Sequence, residues 1–235
     1  MGNFVAFDIE TAKLDDWATG DWRRHRPLGI TCIASLTTAC EKPRVWTTKT
    51  SSDTYAPRMA REDIAAFLTY LEEQADQGFV PLTWNGLSFD FEVLGEESGR
   101  EEACKGLAAD HVDMMFHFFC EKGFFVSLDK VAEGMGIPGK TKGMSGKQAP
   151  RFWAGGKHDA VLEYVSQDVR ATIDVALAAE RQRGITWITQ KGKPSRLNLP
   201  SGWMTVEQAK ALPLPDTSWM PDPVDRKSLL KWVDS

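Results

Sequence analysis

Little in this chain points to sulfur chemistry. Its 235 residues hold four cysteines, at 32, 40, 104 and 120, none in a C-x-x-C spacing. That excludes a disulfide scaffold and reads as buried free thiols in a reducing cytoplasm. No apolar run approaches the roughly 20 residues of a membrane helix. The opening segment MGNFVAFDIE meets an acid at Asp8, too early for a secretory signal, and Ala6 stands where myristoylation after Gly2 wants Ser or Thr. A cytoplasmic protein with no membrane partner is expected. There is no internal repeat, and no general excess of positive charge, since the net charge is −5. A hydrophobic fraction of 42% with 26% charged residues excludes disorder and fits one domain with an appendage.

The acidic balance hides segregated charge. Residues 1–183 carry 21 basic and 28 acidic side chains, whereas residues 184–235 carry 7 and 5. Between Ile137 and His158 stand Lys140, Lys142, Lys147, Arg151 and Lys157 with no acid, a local +5. Trp22-Arg23-Arg24-His25-Arg26 forms a second basic knot. Two such patches on an acidic chain suggest a polyanion bound at one place, against the plainer alternative of solvated surface lysines.

The periodicities predict a mixed α/β layer fold. Asn3–Ile9 is an apolar run with almost no gaps, of the kind found in a central strand. Leu28–Leu36, Arg44–Thr48 and Phe79–Trp84 read as further strands. Arg61–Gln77, Phe89–Ser98, Ser127–Met135 and His158–Gln182 read as helices. Val112–Cys120 reads as a strand end passing into a helix, and Gly139–Gly156 as a mobile loop rich in Gly and Lys. From Gly184 on, tryptophan and proline accumulate, suggesting an irregular clasp with one short capped helix at Thr205-Val-Glu-Gln208. Its tryptophans are expected to pack on the core rather than stack on bases.

Three pairings carry chemistry. Asp8 and Glu10, two apart on a strand, leave one face of an otherwise apolar segment, which costs free energy unless a cation neutralises them. The alternative is a solvent-facing pair at the strand end. Asp90, framed by Asn85 and Phe89, sits where a strand turns into a helix, a common ligand position in α/β sheets. The alternative is an acid serving the helix dipole. Tyr164 and Asp168, four apart, share the apolar face of the longest helix, where they could also be a core pair.

Taken in order, FDIET at 7–11, NGLSFD at 85–90 and YVSQD at 164–168 resemble the DEDD exonuclease superfamily, including polymerase proofreading domains. The resemblance spans about residues 3–183. It is to the tyrosine branch: Tyr164 stands four before the last Asp, while Glu163 occupies the place of the histidine used by the other branch and His158 is too far upstream. The resemblance implies an RNase H-like mixed sheet flanked by helices over residues 1–183, with residues 184–235 as an extension. It implies a metal-dependent 3′-5′ exonuclease with two Mg²⁺ or Mn²⁺ ions held by Asp8, Glu10, Asp90 and Asp168, and Tyr164 orienting water. Thr11, Asn85 and Phe89 would meet the terminal nucleotide, and Asp113 is a lesser acid, expected to be structural rather than a support behind the ligands. Carboxylates gathered in one cleft need cations, and oxygen ligands suit these hard ions. Lys140, Lys142, Lys147 and Arg151, just ahead of the helix bearing Tyr164, would hold the phosphates of a single strand, DNA rather than RNA. An exoribonuclease and a catalytically silent nucleic-acid-binding module are the alternatives.

Overall fold

The structure, a computed structural model, describes residues 2–14, 21–138 and 145–235. Five strands form its main sheet: β1 (Phe4–Thr11), β2 (Ile30–Thr37), β3 (Arg44–Trp46), β4 (Val80–Thr83) and β5 (Val112–Asp113). Their order is β3-β2-β1-β4-β5. The first three form an antiparallel meander, and β4 and β5 continue it in parallel with β1. The apolar run at the start of the chain therefore lies at the centre, where both faces are covered.

Alternation along β1 divides the core in two. Val5, Phe7 and Ile9 face a cluster built with Ile64, Phe67, Leu68 and Phe91. These come from α1 (Arg61–Asp76) and α2 (Asp90–Ser98). Phe4 and Ala6 face the other cluster, with Val161, Val165 and Val169 of α7 (His158–Gln182). Asp8 and Glu10 continue the Phe4–Ala6 row, so the period of two aims both carboxylates at the α7 side.

Several elements differ from the sequence reading. Between α2 and β5 lies α3 (Glu101–Asp110), which the sequence reading does not include. After β5 come α4 (Met114–Lys122) and α5 (Leu128–Met135), the latter capped by Ser127 as its sequence suggests. The Gly/Lys-rich stretch is not loop throughout: it contains α6 (Ala149–Ala154), started by Pro150 in its first turn and anchored by buried Trp153. Residues 139–144, which include Lys140 and Lys142, lie outside the described residues.

The C-terminal segment is more regular than a clasp. It opens with a hairpin, β6 (Gly184–Ile188) and β7 (Pro194–Asn198), turning at Gly192 with φ of 71°. Ile185 and Trp187 point inward by alternation, a short pattern easily missed beside the long helix. The hairpin seats closely on α5: a Cβ on Gly134 would lie 2.4 Å from the Thr186 carbonyl oxygen, so only glycine permits this approach. Two short helices follow, α8 (Val206–Ala209), with the expected capping box at Thr205, and α9 (Arg226–Leu230). Trp187 packs on Phe118, Trp203 donates to the Ala176 carbonyl, and Trp232 donates to the Leu87 carbonyl, whereas Trp219 remains 65% exposed. Of the cysteines, 32, 104 and 120 are buried, but Cys40 is exposed in the turn between β2 and β3. Burial pushes the Cys104 and Cys120 thiols up to about 12, which keeps them protonated and unreactive. No helix among the described residues is long and apolar enough to cross a membrane.

Candidate active site

β1 delivers Asp8 and Glu10 to the edge of a cavity of about 200 Å³. At Glu10 the pairing with β2 shifts register: Glu10 opposes Cys32, but Thr11 opposes Ile30. The extra residue, Thr31, donates its hydroxyl to the Glu10 carbonyl at 3.0 Å. Such a bulge bends the strand end and re-aims its side chains. Glu10 and Thr11 are buried, and Asp8 is half-buried.

Asp90 opens α2, and its side chain does more than face the helix dipole. It is buried, and its Oδ1 accepts the Ile9 amide at 3.3 Å, tying the start of α2 to β1. Tyr164 and Asp168 lie one turn apart on α7, both buried, while Glu163 is exposed. The helical period thus brings the phenol, and not Glu163, to the cavity. Carboxylate oxygens of Asp8, Glu10 and Asp168 lie within 4.8 Å of one another. Asp90, Tyr164, Thr11, Asn85 and Phe89 line the same cavity.

The donor set fits a hard divalent cation. Every candidate ligand is a carboxylate, and both Glu10 and Asp168 are buried, so their charges repel in a low dielectric unless a cation is shared. The negative potential reaches the strand beneath. Cys32, opposite Glu10, has its thiol held well above the usual range, first by burial and then by the charges of Glu10 and Asp8.

The junction between β4 and α2 is fastened by residues the motif does not contain. A single 3₁₀ turn, Gly86–Ser88, bridges them, and Asn85 before it adopts a left-handed φ of 80°. Asp113 is buried and takes three backbone amides: Asn85 at 3.0 Å, Leu87 at 2.9 Å and Phe116 at 3.0 Å. It therefore caps α4 and shapes the Asn85 turn together, and it is not among the residues lining the cavity. Thr83 Oγ1 accepts the Gly86 amide at 3.0 Å and lies 3.1 Å from His111 Nε2. His111 Nδ1 lies 2.6 Å from the Ala108 carbonyl, so Nδ1 donates and Nε2 accepts the Thr83 hydroxyl. Burial lowers the His111 pKa, which keeps this neutral tautomer.

The basic residues separate into two groups. Arg23 and Arg26, half of the tryptophan-flanked knot, are engaged by acids: Arg23 donates to Glu92 through two nitrogens, and Arg26 contacts Glu92 and Glu96. Both guanidinia also lie over the Trp22 ring, 4.9 and 5.0 Å from its centroid. Those two arginines form a neutralised brace behind Phe89, whose ring lies 5.1 Å from Trp22. Lys147 and Arg151, in contrast, are exposed. Gly146 lines the cavity, and a Cβ on it would lie 4.0 Å from Glu10 Oε2. Among the described residues, the basic segment thus meets the cavity at Gly146. Trp84 and Gly146 are lining residues that no motif marks. His158 joins an aromatic cluster with Tyr55 and Trp153.

Two solved structures are similar to this chain. The structure of the family B DNA polymerase from the hyperthermophilic archaeon Pyrobaculum calidifontis is similar over 77% of this chain and 25% of the polymerase, with 21% identity and a TM-score of 0.56. The zinc-bound complex of E. coli exonuclease I with single-stranded DNA aligns with 78% of this chain and 41% of its own, with 16% identity and a TM-score of 0.42. The chain spans about a quarter of the polymerase's length, and at such identities the first likeness speaks to fold alone. No curated protein matches the sequence. The sequence pattern of the RNase H superfamily matches residues 5–179, about three quarters of the chain. The chain belongs to the RNase H superfamily, as the order of its motifs implied.

Proposed function

We propose that this protein is a metal-dependent 3′-5′ exonuclease that shortens single-stranded DNA to nucleoside monophosphates, with a tyrosine-type DEDD site. The observation that carries the reading is the convergence of three separated motifs, through Asp8, Glu10, Asp90, Tyr164 and Asp168, on one small cavity. The four carboxylates are the ligands for two divalent cations, Mg²⁺ or Mn²⁺. When bound, such cations make water nucleophilic and stabilise the oxygen that leaves.

The chain's own residues supply position. Asp90, held to β1 through the Ile9 amide, keeps its carboxylate facing Asp8 and Glu10 across the sheet end. Phe89 and Asn85 form the wall against which the terminal nucleotide rests, and Thr11 closes the β1 side. Tyr164 orients the attacking water through its hydroxyl, because a phenol with a pKa near ~10 is a weak base at neutral pH. Tyr164→Phe keeps the packing and removes that hydroxyl. We expect kcat to fall by about 10²-fold with KM nearly unchanged. A variant as fast as the parent would make Tyr164 a core residue only.

The acidic site repels a polyanion, so affinity for the strand must come from the rim. Lys147 and Arg151 are the exposed cations described there, with Lys140 and Lys142 preceding them in sequence. Replacing Lys147 and Arg151 by Gln is expected to flatten the salt dependence of single-strand binding by about 1.4 in log–log slope, at roughly 0.7 per phosphate contact. Binding is measured with Ca²⁺ present to prevent hydrolysis. An unchanged slope removes both side chains from the binding track.

The decisive test of the activity is digestion of end-labelled single-stranded DNA and RNA with Mg²⁺, with Mn²⁺ and with chelator. Stepwise mononucleotide release from the 3′ end of DNA, abolished by chelator, supports the reading. Preference for RNA would reassign the substrate. No cleavage of either strand, with binding retained, would make the protein a silent nucleic-acid-binding module.

A further inference from the structure

The superfamily match ends at residue 179, yet a residue far beyond it touches the backbone that carries the site. The indole Nε1 of Trp232 donates to the Leu87 carbonyl at 2.7 Å. Leu87 is fully buried in the 3₁₀ turn whose next residues are Ser88, Phe89 and Asp90. The surrounding bonds make that turn a tightly held object. Asp113 takes the amides of Asn85 and Leu87, Thr83 takes the amide of Gly86, and Trp22 donates to the Ser88 carbonyl at 3.3 Å. Gly86 has no room for a side chain, since a Cβ there would lie 2.5 Å from Thr83 Oγ1. The turn has to be held because its conformation is unusual on both sides: Asn85 is left-handed, and Phe89 has φ of −149° and ψ of −73°. Those two residues and Asp90 face the cavity.

We propose that Trp232 is a positioning residue of the active site: the C-terminal extension works as a brace, and its indole N–H fixes the turn that aims Asn85, Phe89 and Asp90. The brace and Asp113 engage different groups of the turn. The carboxylate fixes the turn's amides, and the indole fixes a carbonyl that burial would otherwise leave costly. Displacement of this turn moves Asp90 away from the Ile9 amide and from the carboxylates of β1. The extension therefore contributes to cation affinity and turnover without touching substrate, in the way that outer residues tune metal sites. The inference rests on the exonuclease reading for its catalytic consequence and on the turn's own geometry for its mechanical one.

The test uses the full chain with Trp232→Phe, and separately with Trp232 replaced by benzothienylalanine, which keeps the indole shape and lacks the N–H. Trp219→Phe, an exposed tryptophan of the same extension, is the control. Three quantities are read: backbone amide exchange, Mn²⁺ affinity by calorimetry, and steady-state hydrolysis of single-stranded DNA. We expect exchange at Gly86–Phe89 to accelerate about tenfold while exchange in α7 is unchanged. Mn²⁺ affinity is expected to fall about tenfold. We expect kcat to fall about tenfold with KM within about twofold. The control should match the parent in all three. Unchanged exchange at Gly86–Phe89 in both variants overturns the proposal. So does acceleration spread equally into α7, which would make Trp232 a general stabiliser. If the parent protein cleaves no nucleic acid, the exonuclease reading fails by itself, and the exchange and Mn²⁺ measurements still decide whether the brace exists.

Discussion

Asp168→Asn should reduce release of mononucleotides by about 10³-fold or more, because one ligand of a phosphoryl-transfer cation site contributes several kcal/mol to charge stabilisation in the transition state. The substitution preserves shape. The bond from the Thr172 side-chain hydroxyl to the Asp168 backbone carbonyl, 2.9 Å, is untouched, so α7 should keep its course. The sign of the stability change is opposite to that of the activity. Asp168 shares the cavity with Asp8 and Glu10, whose oxygens lie within 4.8 Å, and like charges that close in a buried place destabilise the fold when no cation is bound. In metal-free buffer the variant should therefore melt at the same temperature as the parent or higher. In excess Mg²⁺ the order should reverse, because the parent gains binding free energy that the variant lacks. Asp8→Ala should behave alike, although Asp8 is only half-buried and its stabilising effect without metal should be smaller. Full activity in either variant would remove that carboxylate from the site, and a parent insensitive to Mg²⁺ in both assays would remove the cation.

This site was legible because its parts lie on regular elements. Asp8 and Glu10 follow from a period of two on a strand with no polar interruption, and Tyr164 with Asp168 from a period of four on the longest helix, whose bounds are those its sequence suggests. Local periodicity was enough to bring each pair to one face. What stayed hidden depends on contacts between distant segments. Arg23 and Arg26 read as a free basic knot because Glu92 and Glu96, which engage them, lie more than 60 residues away. Asp113 reads as a minor acid because its three amide partners come from two different elements. The bulge at Glu10 leaves no mark in β1, since the extra residue, Thr31, is on the neighbouring strand. The hairpin of β6 and β7 is short, and its inward residues gain their meaning from distant surfaces, Gly134 of α5 and Phe118 of α4. The helix α6 was masked by the glycines and lysines around it, although Phe152 and Trp153 hold an apolar anchor.

Arg226→Met should cost about 3 kcal/mol of stability, the largest loss expected of any surface-to-core contact in the extension. Arg226 opens α9 and is only 7% exposed, yet among the described residues it has no carboxylate partner. Its guanidinium instead donates to four backbone carbonyls: Lys210 at 3.2 Å, Leu212 at 2.5 Å, Pro213 at 3.1 Å and Cys120 at 3.0 Å. Three belong to the irregular stretch after α8, and the fourth is near the end of α4. One side chain thus ties the extension to the domain, using the planar fork that lysine lacks. Methionine fills the stem's volume and leaves those carbonyls without a donor. Some would find water, which is why the expected loss is nearer to one or two full desolvation penalties than to four. For a chain of this size about 3 kcal/mol lowers the melting temperature by roughly 6–12 °C. Arg226→Lys should recover only part of it. The activity measured well below the transition separates two roles. Since Trp232 follows on the same helix end, loss of the Arg226 anchor should loosen the turn at Leu87 as well, and turnover should fall together with stability. Trp232→Phe leaves only the Leu87 carbonyl without its donor, so turnover should fall while the melting temperature drops by less than in Arg226→Met. A melting temperature unchanged in Arg226→Met would show that the aromatic contacts of Trp187 and Trp203 hold the extension without the arginine.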